Sequence, residues 1–464
     1  MRPIAFFNSI DCCFGVLRLR CVDRRSAALS FKNILIGERI ASELLCGDFM
    51  LTFLFWFFRI FQETIETVLS MLNRRYYEDE LRQAEAMKVL DISKEDISKA
   101  LAYSQDKQRF SLISSWLSLS VFFIFCVFGG FGFIDQWSLD ISNEWAPGKI
   151  SHALVFFGSV SVLSAFLSVP LSFYSTFVIE QKHGFNRQTI FGFFSDLGKG
   201  ALLGCLLGGI LIAGIVWVMD RLGDMWWVWA WALVSGFSIF LAWIFPTFLA
   251  PLFNKFQPLP PGELNDSIYE LSRKINFPAG DISVMDASKR SSHGNAYFTG
   301  LFGQKKIVLF DTLVSAMSSK QVVAVLAHEL GHFKLHHVRW GLVRGVLMMG
   351  LSLFLLAKAI TFLEFYEALG FSNITFHGAL VVFSLWFGLI QFLFHPISTW
   401  LSRRNEFAAD RFAKTHASAE DLVSALLKLR ETSHSMPLTH PLYSAFYLSH
   451  PPLLERIRAL RESS

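Results

Sequence analysis

The sequence predicts an all-α polytopic membrane protein carrying one small polar subdomain, and three observations predict it. Hydrophobic residues make up 53% of the 464 and charged residues 17%, with a mean hydropathy of +0.42; a soluble chain carries about 25% charge. Seven apolar segments have the length of about 20 residues that a helix needs to cross a hydrocarbon core. One long polar stretch, residues 249–339, separates the fifth from the sixth.

In chain order, residues 1–49 hold four of the six cysteines (Cys12, Cys13, Cys21, Cys46) and seven Lys or Arg, yet no span. They lack the apolar run and small-residue cleavage site of a signal peptide. The expectation is an upstream extension before a working start at Met50, or a disordered arm. The spans follow near 50–71, 111–134, 152–179, 198–219, 225–248, 340–362 and 376–400. Arg59, Glu63 and Glu66 interrupt the first, which is the weakest. Pro170, Pro246 and Pro396 fall within spans, where neighbouring helices can re-satisfy the backbone. The cysteines form no zinc or disulfide spacing.

Basic residues alternate between loops. Residues 72–110 carry eight Lys or Arg, 135–151 only Lys149, 180–197 Lys182 and Arg187, and 220–224 only Arg221. The 249–339 stretch and the tail from 401 are basic, and 364–375 has none. By the positive-inside rule, the polar stretch and the tail face the cytoplasm. The net charge of +4 follows from this loop bias and points to no nucleic-acid partner.

Within the polar stretch, Pro258–Gly262 reads as a turn and Glu263–Ile275 as an amphipathic helix. Ile282–Met285, Asn295–Thr299 and Lys306–Phe310 read as short strands, separated by turn-rich Ser288–Gly294 and Gly300–Gln304. Asn295–Phe298 is a candidate edge strand for extended substrate, although an ordinary packed strand fits the pattern equally well. A helix then covers Ser318–Leu335.

That helix carries His328-Glu329-Leu330-Gly331-His332. Positions i and i+4 share a helix face, so both imidazoles can reach one zinc ion. Glu329 can sit beside the open fourth position and take a proton from its water. A third ligand of the metzincin kind is closed off, because Leu335 and Val338 stand where Gly and His are needed. His336 and His337 are alternatives, but basic surface at a membrane explains them more simply. Glu406 is the better candidate, with Asp410 one turn along as the carboxylate that a metal-bound His requires. The last two spans form an antiparallel pair, so Glu406 returns to the face that His332 left. The result is a His, His, Glu site with an open position.

Several further segments resemble the integral-membrane CAAX prenyl protease family, type 1, of zinc metalloproteases. They are Phe177–Asn186, Pro251–Phe256, Asp286–Ser291 leading into Asn295–Phe298, Phe310–Leu313, the zinc motif, Asn405–Asp410 and Ser449–Pro452. The resemblance runs from about Met50 to the C-terminus, and residues 1–49 depart from it. It implies one Zn2+ on His328, His332 and Glu406, with Glu329 as general base. It also implies a substrate-holding role for Asn295 and places His450 and Arg456 at the active site. The implied fold is a ring of seven helices enclosing a chamber, with the zinc site at its cytosolic end.

The expected activity is therefore membrane-embedded, zinc-dependent hydrolysis of peptide bonds, of CAAX-type C-terminal ends or related membrane peptides. The expected partners are a peptide or protein substrate, prenylated or not, and the lipid bilayer of an inner membrane or endoplasmic reticulum; no second copy is required. A quality-control protease of the heat-shock type and a non-catalytic membrane chamber are the competing readings. Five spans before the zinc motif weigh against the former, and a complete set of ligand, base and supporting residues against the latter. Site-2-type intramembrane proteases fit poorly, since Lys334, His336, His337 and Arg339 follow the motif at once.

Overall fold

The computed structural model describes residues 27–299 and 305–462, with side chains from Met50 onward. The first 26 residues, with Cys12, Cys13 and Cys21, and the turn expected at Gly300–Gln304 lie outside the described residues. Helix α1 (Ala27–Glu78) passes through Met50 without a break. Over 27–49 the chain is thus helical rather than an irregular arm; no proline stands there to stop the helix.

The helices that follow are α2 (Glu80–Leu90), α3 (Lys94–Val127), α4 (Gly130–Trp145), α5 (Lys149–Tyr174), α6 (Ile190–Arg221) and α7 (Trp226–Ile244). Beyond the polar stretch come α11 (His337–Ala359), α12 (Leu363–Glu367) and α13 (Phe376–His416). Among the described residues, six helices are long and apolar enough to span a membrane: α3, α5 with its π-helical extension Ser175–Glu180, α6, the α7 region, α11 and α13. Large apolar side chains such as Phe166, Phe191, Leu202, Leu347 and Leu393 point outward, as lipid-facing surface does. The inner core gathers Phe55, Phe131, Phe156, Tyr366, Leu369, Phe371 and Val382.

Two expectations change. The span expected at 111–134 is split: α3 ends at Val127, Gly129 adopts a left-handed φ of +68°, and α4 starts at Gly130. A left-handed glycine is a standard helix stop. Much of the 72–110 loop is helical, because the Ser93 hydroxyl caps α3 by accepting from the Asp96 N–H at 3.1 Å. The segment 50–71 is not among the six spans; within it Arg59 pairs with Glu63 at 3.1 Å and Gln62 donates to Glu66 at 2.9 Å.

The polar stretch forms a four-stranded sheet: β1 (Phe256–Pro258), β2 (Ala279–Met285), β3 (Ala296–Thr299) and β4 (Lys305–Phe310), in the order β1-β2-β4-β3. Only β2 and β4 run parallel. Strand β1 is one more than the three strands expected and ends at Pro258, where the expected turn begins, and β3 is an edge strand as anticipated. Helices α8 (Glu263–Lys274), α9 (Asp311–Ala316), α10 (Ser319–Lys334), α14 (Ala419–Ser433), α15 (Pro441–Tyr447) and α16 (Leu453–Glu462) complete this half. Its core joins Ile268, Ile307, Leu309, Leu326, Leu330, Leu422 and Ile457. Each such side chain contributes about 1.5–3 kcal/mol on burial.

One network ties the halves together. Arg290 donates through Nε and Nη2 to Asp196 on α6 at 2.8 and 3.1 Å, to the Asn254 carboxamide at 2.7 Å and to the Phe253 carbonyl at 2.5 Å. Asp286 accepts from the Lys255 N–H at 2.7 Å, and Asp311 binds the backbone and hydroxyl of Ser288. The motif segments around these residues are thus joints between the sheet and the membrane helices.

Candidate active site

Two helices build the site. Helix α10 opens with a capping box, in which the Ser318 hydroxyl accepts from the Gln321 N–H and the Gln321 carboxamide accepts from the Ser318 N–H. This fixes the helix start, and Val322, Leu326 and Leu330 then bury one face. Gly331 lets α10 approach α13: a Cβ there would lie 3.1 Å from the Phe412 ring and 3.3 Å from the Ala409 Cα. Glycine in the motif thus avoids contacts tighter than a Cβ usually makes. Helix α13 runs unbroken from the membrane through Pro396 to Glu406 and Asp410.

The close approach brings His328, His332 and Glu406 together. His328 Nε2 lies 3.3 Å from His332 Nε2 and 3.3 Å from Glu406 Oε2, and His332 Nε2 lies 3.3 Å from Glu406 Oε1. Such edges are those of a tetrahedral shell with arms of about 2.0–2.1 Å. Glu406 is 4% exposed, and its Oε2 accepts no hydrogen bond. His450 Nδ1 stands 2.7 Å from that oxygen without hydrogen-bond alignment. A buried carboxylate oxygen left this way is costly unless a cation completes it.

The supporting groups are ordered. The His328 Nδ1–H donates to Asp410 Oδ1 at 2.8 Å, which turns Nε2 toward the open centre. Arg456 on α16 clamps Asp410 from behind with Nε at 2.9 Å and Nη2 at 2.6 Å. Burial would lower the His328 pKa, but the carboxylates of Asp410 and Glu406 push it up to about 9. Burial raises the Glu329 carboxyl above its ordinary range, against the pull of His328 and His332.

Sequence reasoning anticipated His328, Glu329, His332, Glu406 and Asp410, and all converge here. Asn295 is exposed at the head of β3, where its side-chain oxygen accepts from the Ala296 N–H at 2.8 Å and its carbonyl from the Phe310 N–H at 3.0 Å. His450 faces the site and is largely exposed. Arg456 touches Asp410 rather than the open centre, which makes it a positioning residue. His336 sits at the α11 N-cap with a φ of +59°. His337, explained more simply as surface, has its Nδ1 3.0 Å from His332 Nδ1.

Two histidines and a glutamate on helices joined to a membrane bundle are the arrangement of a gluzincin-type membrane metallopeptidase. Residues 74–255 match the family profile for the CAAX prenyl protease N-terminal region, five membrane helices, and residues 258–464 match peptidase family M48. The chain is 36% identical to a CAAX prenyl protease 1 homolog of Arabidopsis thaliana, covering 85% of this chain and 97% of the relative. It is 35% identical to the Homo sapiens homolog, covering 85% and 92% respectively. The crystal structure of S. mikatae Ste24p superposes with a TM-score of 0.81 at 31% identity, covering 88% of this chain and 98% of that one. The chain belongs to the CAAX prenyl protease 1 family of M48 peptidases.

Proposed function

We propose that the chain is a zinc-dependent endopeptidase that cuts near the C-terminus of CAAX proteins, with His328, His332 and Glu406 holding the ion. The observation that carries the reading is the set of three 3.3 Å separations that link His328, His332 and the two Glu406 oxygens, of which Oε2 has no hydrogen bond. Two imidazoles and one carboxylate with a free position suit zinc in catalysis. Bound there, zinc polarises the scissile carbonyl and makes water a nucleophile at neutral pH.

The protein's own groups do the rest. Glu329, its pKa raised by burial, accepts the proton of the attacking water and hands it to the leaving amine. His450 donates to the oxygen that gains charge as the carbonyl is attacked, a contact worth roughly 3–4 kcal/mol. Substrate lies extended along β3, an edge strand with a free side, and Asn295 aligns one of its peptide groups. Asp410 and Arg456 fix the tautomer and tilt of His328.

The membrane frame follows the same reading. Helix α1 supplies a seventh span, supported by its packing on α3 and α13, with Phe55 5.2 Å from Trp386 and Trp56 4.8 Å from Phe123 between ring centroids. The basic loops support a site that faces the cytoplasm. The names of the relatives favour a prenylated substrate. Purified protein should cleave a farnesylated CAAX peptide faster than its unfarnesylated twin. Equal rates would remove prenyl recognition, and no cleavage of either would remove the substrate class.

A further inference from the structure

A second cluster of metal-ligating side chains lies at the opposite end of α13. His377 stands in the first turn of that helix, roughly eight turns or ~44 Å from Glu406, more than the thickness of a hydrocarbon core. His377 Nε2 lies 2.6 Å from Asp135 Oδ1 on α4, and His152 Nε2 on α5 lies 3.1 Å from the same oxygen. The backbone carbonyl of Asp135 is 2.9 Å from His152 Nε2, and the Thr375 hydroxyl is 3.1 Å from His377 Nε2. Asp135, His152 and His377 are 8%, 9% and 2% exposed. The two imidazole rings meet edge to face at 4.4 Å.

A buried carboxylate at a membrane boundary is expensive unless a cation balances it, and beside two imidazoles a divalent metal ion is one way to supply that cation. Lys149, one turn before His152 on α5, is bound to Asp220 at 2.5 Å and lies over the Phe376 ring. Three helices thus converge on two imidazoles and a carboxylate whose ligand atoms lie within 4.8 Å of one another, with a carbonyl and a hydroxyl beside them. We propose that Asp135, His152 and His377 form a second divalent-cation site, for Zn2+, at the membrane face opposite the peptidase centre. Loading exchanges the two direct N···O contacts for metal bonds. Taking the shortest contact to a tetrahedral edge moves Asp135 Oδ1 by about 0.7 Å, within the reach of a carboxylate rotation. The ion would staple α4, α5 and α13 where Gly129 breaks the α3–α4 connection.

Zinc counting separates the two sites. Full-length protein in detergent, equilibrated with Zn2+ and freed of excess, should hold two zinc per chain. Glu406→Ala should hold one, His152→Ala/His377→Ala one, and the triple variant none. Retained peptide cleavage by the double variant reports that it is folded. One zinc in the wild type and none in Glu406→Ala overturns the proposal and leaves the cluster as a hydrogen-bonded tie. Should the double variant not fold, the unaltered protein decides: zinc-edge anomalous scattering from its crystals should show two peaks, and a single peak at Glu406 defeats the inference. Zinc kept by Glu406→Ala and lost from the triple variant reports the second site by itself, whatever the first site does.

Discussion

The soluble half and the membrane half of this chain place their apolar side chains in opposite ways. In the soluble half, an apolar core around Leu326, Leu330 and Ile457 sets the distances, and His328 and its carboxylate partners Glu406 and Asp410 are buried beside it. In the membrane half the large apolar side chains point outward, and polar groups such as Glu63, Asp135 and His377 are drawn inside and pair with one another. Helix α13 belongs to both: it begins beside Asp135 and ends with Glu406 and Asp410. The site's precision therefore comes from the soluble packing of α10, while its completion depends on a membrane helix.

The strongest way to break that comparison is to strip the membrane helix of its ligand. Glu406→Ala should lose one metal per chain and peptidase activity together, whereas His336→Ala should lose neither; metal counting with a cleavage assay reads both. An unchanged metal count in Glu406→Ala with loss of one metal in His336→Ala would move the third ligand to the soluble half. Glu329→Gln, entirely within the soluble half, should keep its metal and lose about 10²–10⁴-fold in kcat. Near wild-type turnover in a metal-loaded Glu329→Gln would deny the carboxylate its role as base.

A smaller effect is expected one layer out. Asp410→Asn leaves Arg456 without its carboxylate and His328 with a poorer acceptor, so metal affinity should fall about 10–100-fold. Competition with a chelator of known affinity measures it. Unchanged affinity would mean that α10 packing alone orients His328.

Much of this was legible in the sequence, for reasons that differ between the halves. The spacing of His328 and His332 fixes their shared face, and the returning hairpin brings Glu406 to it; both follow from helix geometry. Span positions were legible because hydrophobicity is a property of the segment itself. The Gly129 stop was missed because an apolar run continues across it, so composition hid a backbone event. Strand β1 was missed because its three residues follow no alternation and owe their pairing to β2. The Asp135, His152 and His377 cluster was invisible for the same reason: three residues on separate helices meet only through tertiary packing.

Asn295 gives the finest test of how the two halves cooperate. It sits at the head of edge strand β3, and the strand next to it, β4, leads through Asp311 and Ser288 into the joint that Arg290 makes with α6. Its carboxamide now accepts from the adjacent Ala296 N–H, so turning toward substrate exchanges a local bond for an intermolecular one. Asn295→Ala should weaken alignment of the extended substrate and leave the metal untouched, because the residue is on an element separate from all three ligands. The expected cost is roughly 1–3 kcal/mol in transition-state binding if the substrate group it serves is left unpaired, seen as a lower kcat/KM at full metal content. Arg290→Ala, which loosens the joint without touching β3 directly, should lower kcat/KM less and broaden thermal unfolding. If Asn295→Ala left kcat/KM unchanged on peptides while Arg290→Ala lowered it, strand β3 would be ordinary structure and the fit of the two halves would control substrate placement instead.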